Sequence, residues 1–250
     1  MPLALAAGCA LDVDAATLVR AAATAEFDAV GLRASGPHAV ADPAELQALA
    51  ADVGVAIHDV EVHRIGTDAD PTELFETAAA LGAAAVLVVS DLADLAATTA
   101  EVERLTQRCE RLGLVLGLEY MAWTTPANAA DALTVARRTG CRLVVDVLHH
   151  HRTGATAAAL REIVDAGALG WLQLCDAPAA APGDVLHEAR HDRLPPGDGQ
   201  LPLAALLDAL PDDVMVSVEV QSDRLAGNHD ALARAQLLHA RATRALNHRA

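Results

Sequence analysis

Leu114-Val115-Leu116-Gly117-Leu118-Glu119 is a short apolar run that ends on a carboxylate, and Arg142-Leu143-Val144-Val145-Asp146 repeats the pattern further on. Runs of this length without polar alternation read as buried parallel strands. Working outward, similar runs fall at about 3–9, 28–33, 55–61, 84–89, 114–120, 141–147, 170–175 and 214–220, separated by longer segments rich in Ala, Leu, Arg and Glu. Strand–helix alternation predicts a parallel sheet covered by helices. Eight such units in 250 residues predict a single-domain α/β fold, a closed (β/α)8 barrel over residues 1–250. An open doubly wound sheet is the alternative. No Gly-x-Gly-x-x-Gly follows the first run, which argues against it and against a nucleotide cofactor.

Punctuation supports the same division. Asp42-Pro43-Ala44-Glu45 and Asp70-Pro71-Thr72-Glu73 read as helix starts, and Thr125-Pro126 and Leu201-Pro202 as two more. Gly82, Gly113, Gly140 and Gly167 each close a helical pattern before a strand. The longest irregular stretch, about 177–200, carries Pro178, Pro182, Pro195, Pro196, Gly197 and Gly199 and is expected to cover a site.

Composition excludes several functions. A net charge of −16 argues against nucleic acid or an anionic membrane as partner. Although 53% of residues are hydrophobic, no apolar run approaches the ~20 residues of a membrane span, and the N-terminus lacks the basic segment of a secretory signal. A cytoplasmic location is expected. All 18 basic residues are arginine, so chemistry that needs a lysine amine drops out. Cys9, Cys109, Cys141 and Cys175 form no CxxC pair and read as small core residues. Cys175, beside Asp176, reads as a core thiol rather than a nucleophile.

In α/β barrels the reacting groups sit at the C-terminal ends of strands. The last four runs present Glu119, Asp146, Gln173 (with Asp176 beyond it) and Glu219 there. An acid after four or five apolar residues is costly when dry and unpaired, and three acids at one mouth repel each other. A divalent cation relieves both problems, and this oxygen-rich set suits Mg²⁺ or Mn²⁺ better than Zn²⁺.

The segments Leu118-Glu119-Tyr120-Met121, Val145-Asp146-Val147-Leu148-His149, Leu172-Gln173-Leu174-Cys175-Asp176 and Ser217-Val218-Glu219 resemble those of the xylose isomerase-like TIM barrel superfamily. Glu188 to Gly199 is similar to its Arg-x-x-Pro-Gly-x-Gly loop. The resemblance covers most of the chain and is most specific from 114 to 220. It implies one divalent ion, Mn²⁺ or Mg²⁺ with Co²⁺ or Zn²⁺ as other options, held by Glu119, Asp146, Gln173 and Glu219. It makes Glu119 and Glu219 catalytic as well, His149 a substrate or acid–base residue, and Arg193 and Arg190 substrate-binding residues. Most relatives carry His at the third ligand position. Dehydroshikimate dehydratases of the superfamily can carry Gln there, as Gln173 does here.

Other residues stay open between two readings. Tyr120 and Trp123 either stack on a substrate at the rim or pack beneath the loop. Glu61, His63, Arg64 and Arg33 either line the pocket or form a solvated rim. His150 and His151 read as loop residues. The expected chemistry is isomerisation or epimerisation of a small polyhydroxylated ketone through a metal-stabilised enediolate, a carbohydrate-type reaction. The alternative is a dehydratase (lyase) of the 3-dehydroshikimate or inosose type, and a barrel that binds without turnover is a third reading. An endonuclease IV-type activity fails on charge. The partner is a small molecule; self-association into a homo-oligomer stays open.

Overall fold

Each apolar run pairs with its neighbours in chain order, and the last strand returns to the first, closing an all-parallel barrel. The computed structural model describes residues 1–34, 40, 42–68 and 70–247. Its strands are β1 (Leu3–Leu5), β2 (Ala29–Arg33), β3 (Ala56–Ile65), β4 (Ala85–Ser90), β5 (Val115–Glu119), β6 (Arg142–Asp146), β7 (Leu169–Leu174) and β8 (Met215–Val218). The helices that wrap them are α1 (Ala15–Thr24), α2 (Pro43–Val53), α3 (Thr72–Ala80), α4 (Leu95–Arg111), α5 (Ala129–Thr139), α6 (Val147–Arg152), α7 (Ala157–Asp165), α8 (Val185–His191), α9 (Leu203–Leu207), α10 (Asp223–Asn228) and α11 (Ala231–Asn247). No helix is long and apolar enough to cross a membrane among the described residues.

Local chemistry sets the helix ends. Asp14, Asp42, Asp94, Asn128 and Asp184 each cap a helix by accepting a backbone N–H of its first turn. Gly140 closes α5 at φ 75°, a left-handed conformation that a Cβ disfavours. Strand residues then sort by side. Leu116 and Leu118 of β5 face the layer between sheet and helices. Ala85, Leu87, Val89, Val144 and Trp171 fill the barrel interior together with Met121. A Cβ on Gly117 would lie 2.2 Å from the Trp171 ring, so glycine is required where that indole crosses the barrel.

Three expectations need correction. The first run does not stay extended to residue 9. It ends at Leu5 and tightens into a 3-10 turn at Ala7–Ala10, where Gly8 passes so close to Glu219 that a Cβ would stand 2.9 Å from its Oε1. Thr125-Pro126 does not open a helix, because α5 begins later, at Ala129, capped by Asn128. The stretch 177–200 is not wholly irregular. Asp184 caps a seven-residue helix, α8, inside it.

Candidate active site

β5, β6 and β7 deliver Glu119, Asp146 and Gln173 to the barrel mouth, and Glu219 follows β8 directly; all four are buried. Register sets Gln173 beside Asp146 on one side and beside Ser217 on the other. Asp146 also caps α6 by accepting the His149 N–H at 3.0 Å, which turns His149 back toward the mouth. Ligand atoms of Glu119, Asp146 and His149 lie within 4.8 Å of one another. His149 Nε2 is 3.7 Å from Glu119 Oε1.

A cavity of about 430 Å³ opens above these groups. Glu119, Glu219, His149, Glu61, Arg190, Arg193 and Trp123 all line it, so most of the expected site residues meet there. Asp146 and Gln173 are not part of that lining. Trp123 stands edge-on to His149, ring centroids 5.1 Å apart. Glu61 pairs with Arg33 at 3.2 Å. Arg64 reaches the rim but its guanidinium is committed to Asp91 through two hydrogen bonds. Arg190 is exposed.

Tyr120 does not reach the cavity. It lies one residue past Glu119, so the strand period turns it outward into the helix-facing layer. Its hydroxyl meets His150 Nδ1 at 2.5 Å, while His150 Nε2 lies 2.9 Å from the Thr156 carbonyl. A carbonyl only accepts, so Nε2 carries the proton and Nδ1 accepts from the tyrosine. His63 also faces away, toward Asp68. Asp176 accepts from the backbone N–H groups of Ala177, Gly197, Gly199 and Leu201, so it organises the loop after β7.

Several contributors escaped the sequence reading. Gln221 lines the cavity and donates to Glu219 Oε1 at 3.2 Å; its place two residues beyond Glu219 was the available signal. Arg152 and Glu188 form a buried bidentate pair, 2.8 and 2.7 Å, that fixes α8 over the mouth. Arg152 also donates to the Pro178 and Ala179 carbonyls. Asp59 lies inside the barrel, buried, with Oδ1 unpartnered among the described residues.

Electrostatics follow from burial. Desolvation holds Glu119 well above the usual carboxylate range, with Glu219 and then Asp146 adding repulsion. Glu219 is raised for the same first reason, against the pull of Arg193. Glu61 is raised by burial against Arg33, and Asp59 well raised by burial, then by Glu61 and Glu219. Burial, helped by Arg193, keeps His149 a neutral imidazole. Cys175 is a buried thiol held well above its usual range by desolvation, in keeping with a core role. The donor set fits a divalent cation: three buried acids crowd together, and Gln173 Oε1 is buried with no hydrogen-bond partner among the described residues.

The family model of the xylose isomerase-like TIM barrel matches residues 19–243. No curated protein sequence matches the chain. Among solved structures, a xylose isomerase-like TIM barrel/4-hydroxyphenylpyruvate dioxygenase fusion protein is 24% identical over 94% of this chain, with a TM-score of 0.80; the chain spans 41% of that protein's length. An IOLI protein with a bound zinc atom is 16% identical, TM-score 0.85, over 99% of this chain and 98% of its own. A D-allulose 3-epimerase from Methylomonas sp. is also 16% identical, TM-score 0.72, with 98% of each chain covered. At these identities the likeness is one of fold. The family match itself spans the strand ends that carry the acids, and the chain belongs to the xylose isomerase-like TIM barrel family.

Proposed function

We propose that the chain is a divalent-metal-dependent isomerase or epimerase of a small polyhydroxylated ketone. The observation that supports it most is the convergence of Glu119, Asp146, Gln173 and Glu219 on one mouth, with His149 set among the first two. These residues would hold the ion. Mn²⁺ or Mg²⁺ suits the oxygen donors, and the His149 imidazole widens the choice to Co²⁺ or Zn²⁺. When bound, the ion supplies Lewis-acid polarisation of the ketone and its neighbouring hydroxyl.

The chain's own residues do the proton work. Glu119 and Glu219 both face the cavity, where a carboxylate can exchange a proton with a substrate. One takes the α-proton; the other, or His149, returns it to the opposite face or to the neighbouring carbon. Trp123 offers an apolar wall to a sugar face. α8 lines one wall of the mouth through Leu186, Ala189 and Arg190. The substrate is the partner; the net charge of −16 speaks against nucleic acid.

The test is incubation of the metal-loaded protein with a panel of ketoses in D₂O. Deuterium at the carbon next to the carbonyl is expected, and its absence from every substrate and product sinks the reading. Glu219→Gln is expected to lower kcat by roughly 10³-fold or more, as loss of a proton-transfer group does. A second reading, a dehydratase acting on a carboxylated ring ketone, is favoured by Gln173 and by the exposed Arg190 at the rim. It expects a new aromatic absorbance from 3-dehydroshikimate or a new enone absorbance from an inosose, and neither signal appearing removes it.

A further inference from the structure

Arg193 follows α8 and runs inward until it is 2% exposed. Its Nε donates to the Ala189 carbonyl at 2.7 Å, so the helix holds the side chain by its neck. Nη1 donates to Asp146 Oδ2, to the Glu219 carbonyl at 3.2 Å and to Glu219 Oε2 at 3.3 Å. Nη2 stands 3.3 Å from His149 Nε2. The same side chain lines the cavity, with its guanidinium turned to the acids.

Glu119, Asp146 and His149 close on one another within 4.8 Å, and Glu219 is not part of that cluster. Glu219 is joined to Asp146 through the guanidinium instead. Asp146 therefore faces the cluster and Arg193 at once. A carboxylate shared between two neighbouring positive centres is the arrangement of two-metal sites, where the ions sit ~3.5–4 Å apart.

Charge counting agrees. Glu61, Glu119, Asp146 and Glu219 stand against the guanidinium groups of Arg33 and Arg193. The carboxyls outnumber the guanidinium groups, and a divalent ion offsets the excess. Arginine suits a permanent role of this kind because it stays protonated and its planar fork serves two acceptors at once.

We propose that Arg193 takes the place of a second cation in the metal centre, is delivered there by α8, and limits the centre to a single divalent ion. The proposal rests on the metal-dependent reading above. It makes Arg193 a positioning residue that fixes Asp146 and Glu219.

The experiment titrates the chelator-treated full chain with Mn²⁺, reading stoichiometry by calorimetry and ion–ion coupling by electron paramagnetic resonance. Wild type is expected to bind one ion with an isolated six-line signal. Arg193→Gln is expected to bind two ions with an exchange-coupled signal, and Arg193→Lys to return to one. A single ion in Arg193→Gln overturns the proposal, and a tighter single ion would show that the arginine competes for the metal's own position. Two ions in the wild type also overturn it, while leaving the proposed function standing. No ion in the wild type removes the proposed function and this inference together. Should Arg193→Gln fail to accumulate in soluble form, excess Mn²⁺ during expression is expected to rescue it, because a second ion supplies positive charge where the guanidinium stood. Failure of that rescue overturns the proposal.

Discussion

Asp59 shows what a single buried carboxyl does to this protein. Gly31 stands against it, where a Cβ would lie 2.8 Å from Oδ1. Burial first, then Glu61 and Glu219, raises its folded pKa well above the value of an unfolded chain. Between those two values the folded state keeps a proton that the unfolded state has lost, so stability falls as pH rises through the window. Asp59→Asn stays neutral throughout. It is expected to be more stable than wild type at pH 8 by about 1–3 kcal/mol, with the gap shrinking toward pH 4, in urea melts at several pH values. A constant gap, or a less stable variant at pH 8, contradicts this account. The strand-end acids were legible because each closes a continuous apolar run. Asp59 was not, because β3 breaks the period: Ile57 and Val60 both face the helix layer, which sends His58 and Asp59 inward together. Tyr120, open between rim and packing in the sequence, packs because the unbroken period of β5 points it away from the mouth.

Among the elements, α8 is the one that the sequence hid and the site most needs. Seven residues flanked by Pro182, Gly183 and Pro195 carry too little periodicity to read as a helix. Its hold on the barrel lies in long-range pairs that no local pattern reveals. Arg152 and Glu188 are each about 3–4% exposed at the side chain, so removing either leaves an uncompensated buried charge, a loss of about 3–5 kcal/mol. Arg152→Ala is expected to destabilise the chain by that order. Hydrogen exchange should quicken over 177–192 before the strands respond, and kcat/KM should fall. Uniform exchange across the barrel would show that α8 is held by other contacts. The barrel strands and their order, by contrast, were readable, because parallel strands buried on both faces leave continuous apolar runs.

For the molecule as a whole, the acids at the mouth tie folding to the ion. Glu119 and Glu219 hold protons more firmly when buried than when unfolded, so the metal-free barrel loses stability as pH rises through their raised range. An ion binds their charged forms, releases those protons and reverses the trend. Mn²⁺ at a hundredfold excess over its dissociation constant stabilises by ~2.7 kcal/mol. For a chain of this size that raises Tm by roughly 6–10 °C. The gain is expected to be larger at pH 8 than at pH 5.5 in calorimetric scans, and a gain independent of pH contradicts the linkage. The last consequence belongs to Trp171. Its indole and the apolar side chains around it fill the barrel beneath the chamber, so among the described residues the mouth is the way in. Reactant and product must come and go by that same passage, and a molecule leaving blocks the next one arriving. Initial-rate plots with added product should therefore meet on the ordinate, the signature of two molecules contending for one vacancy.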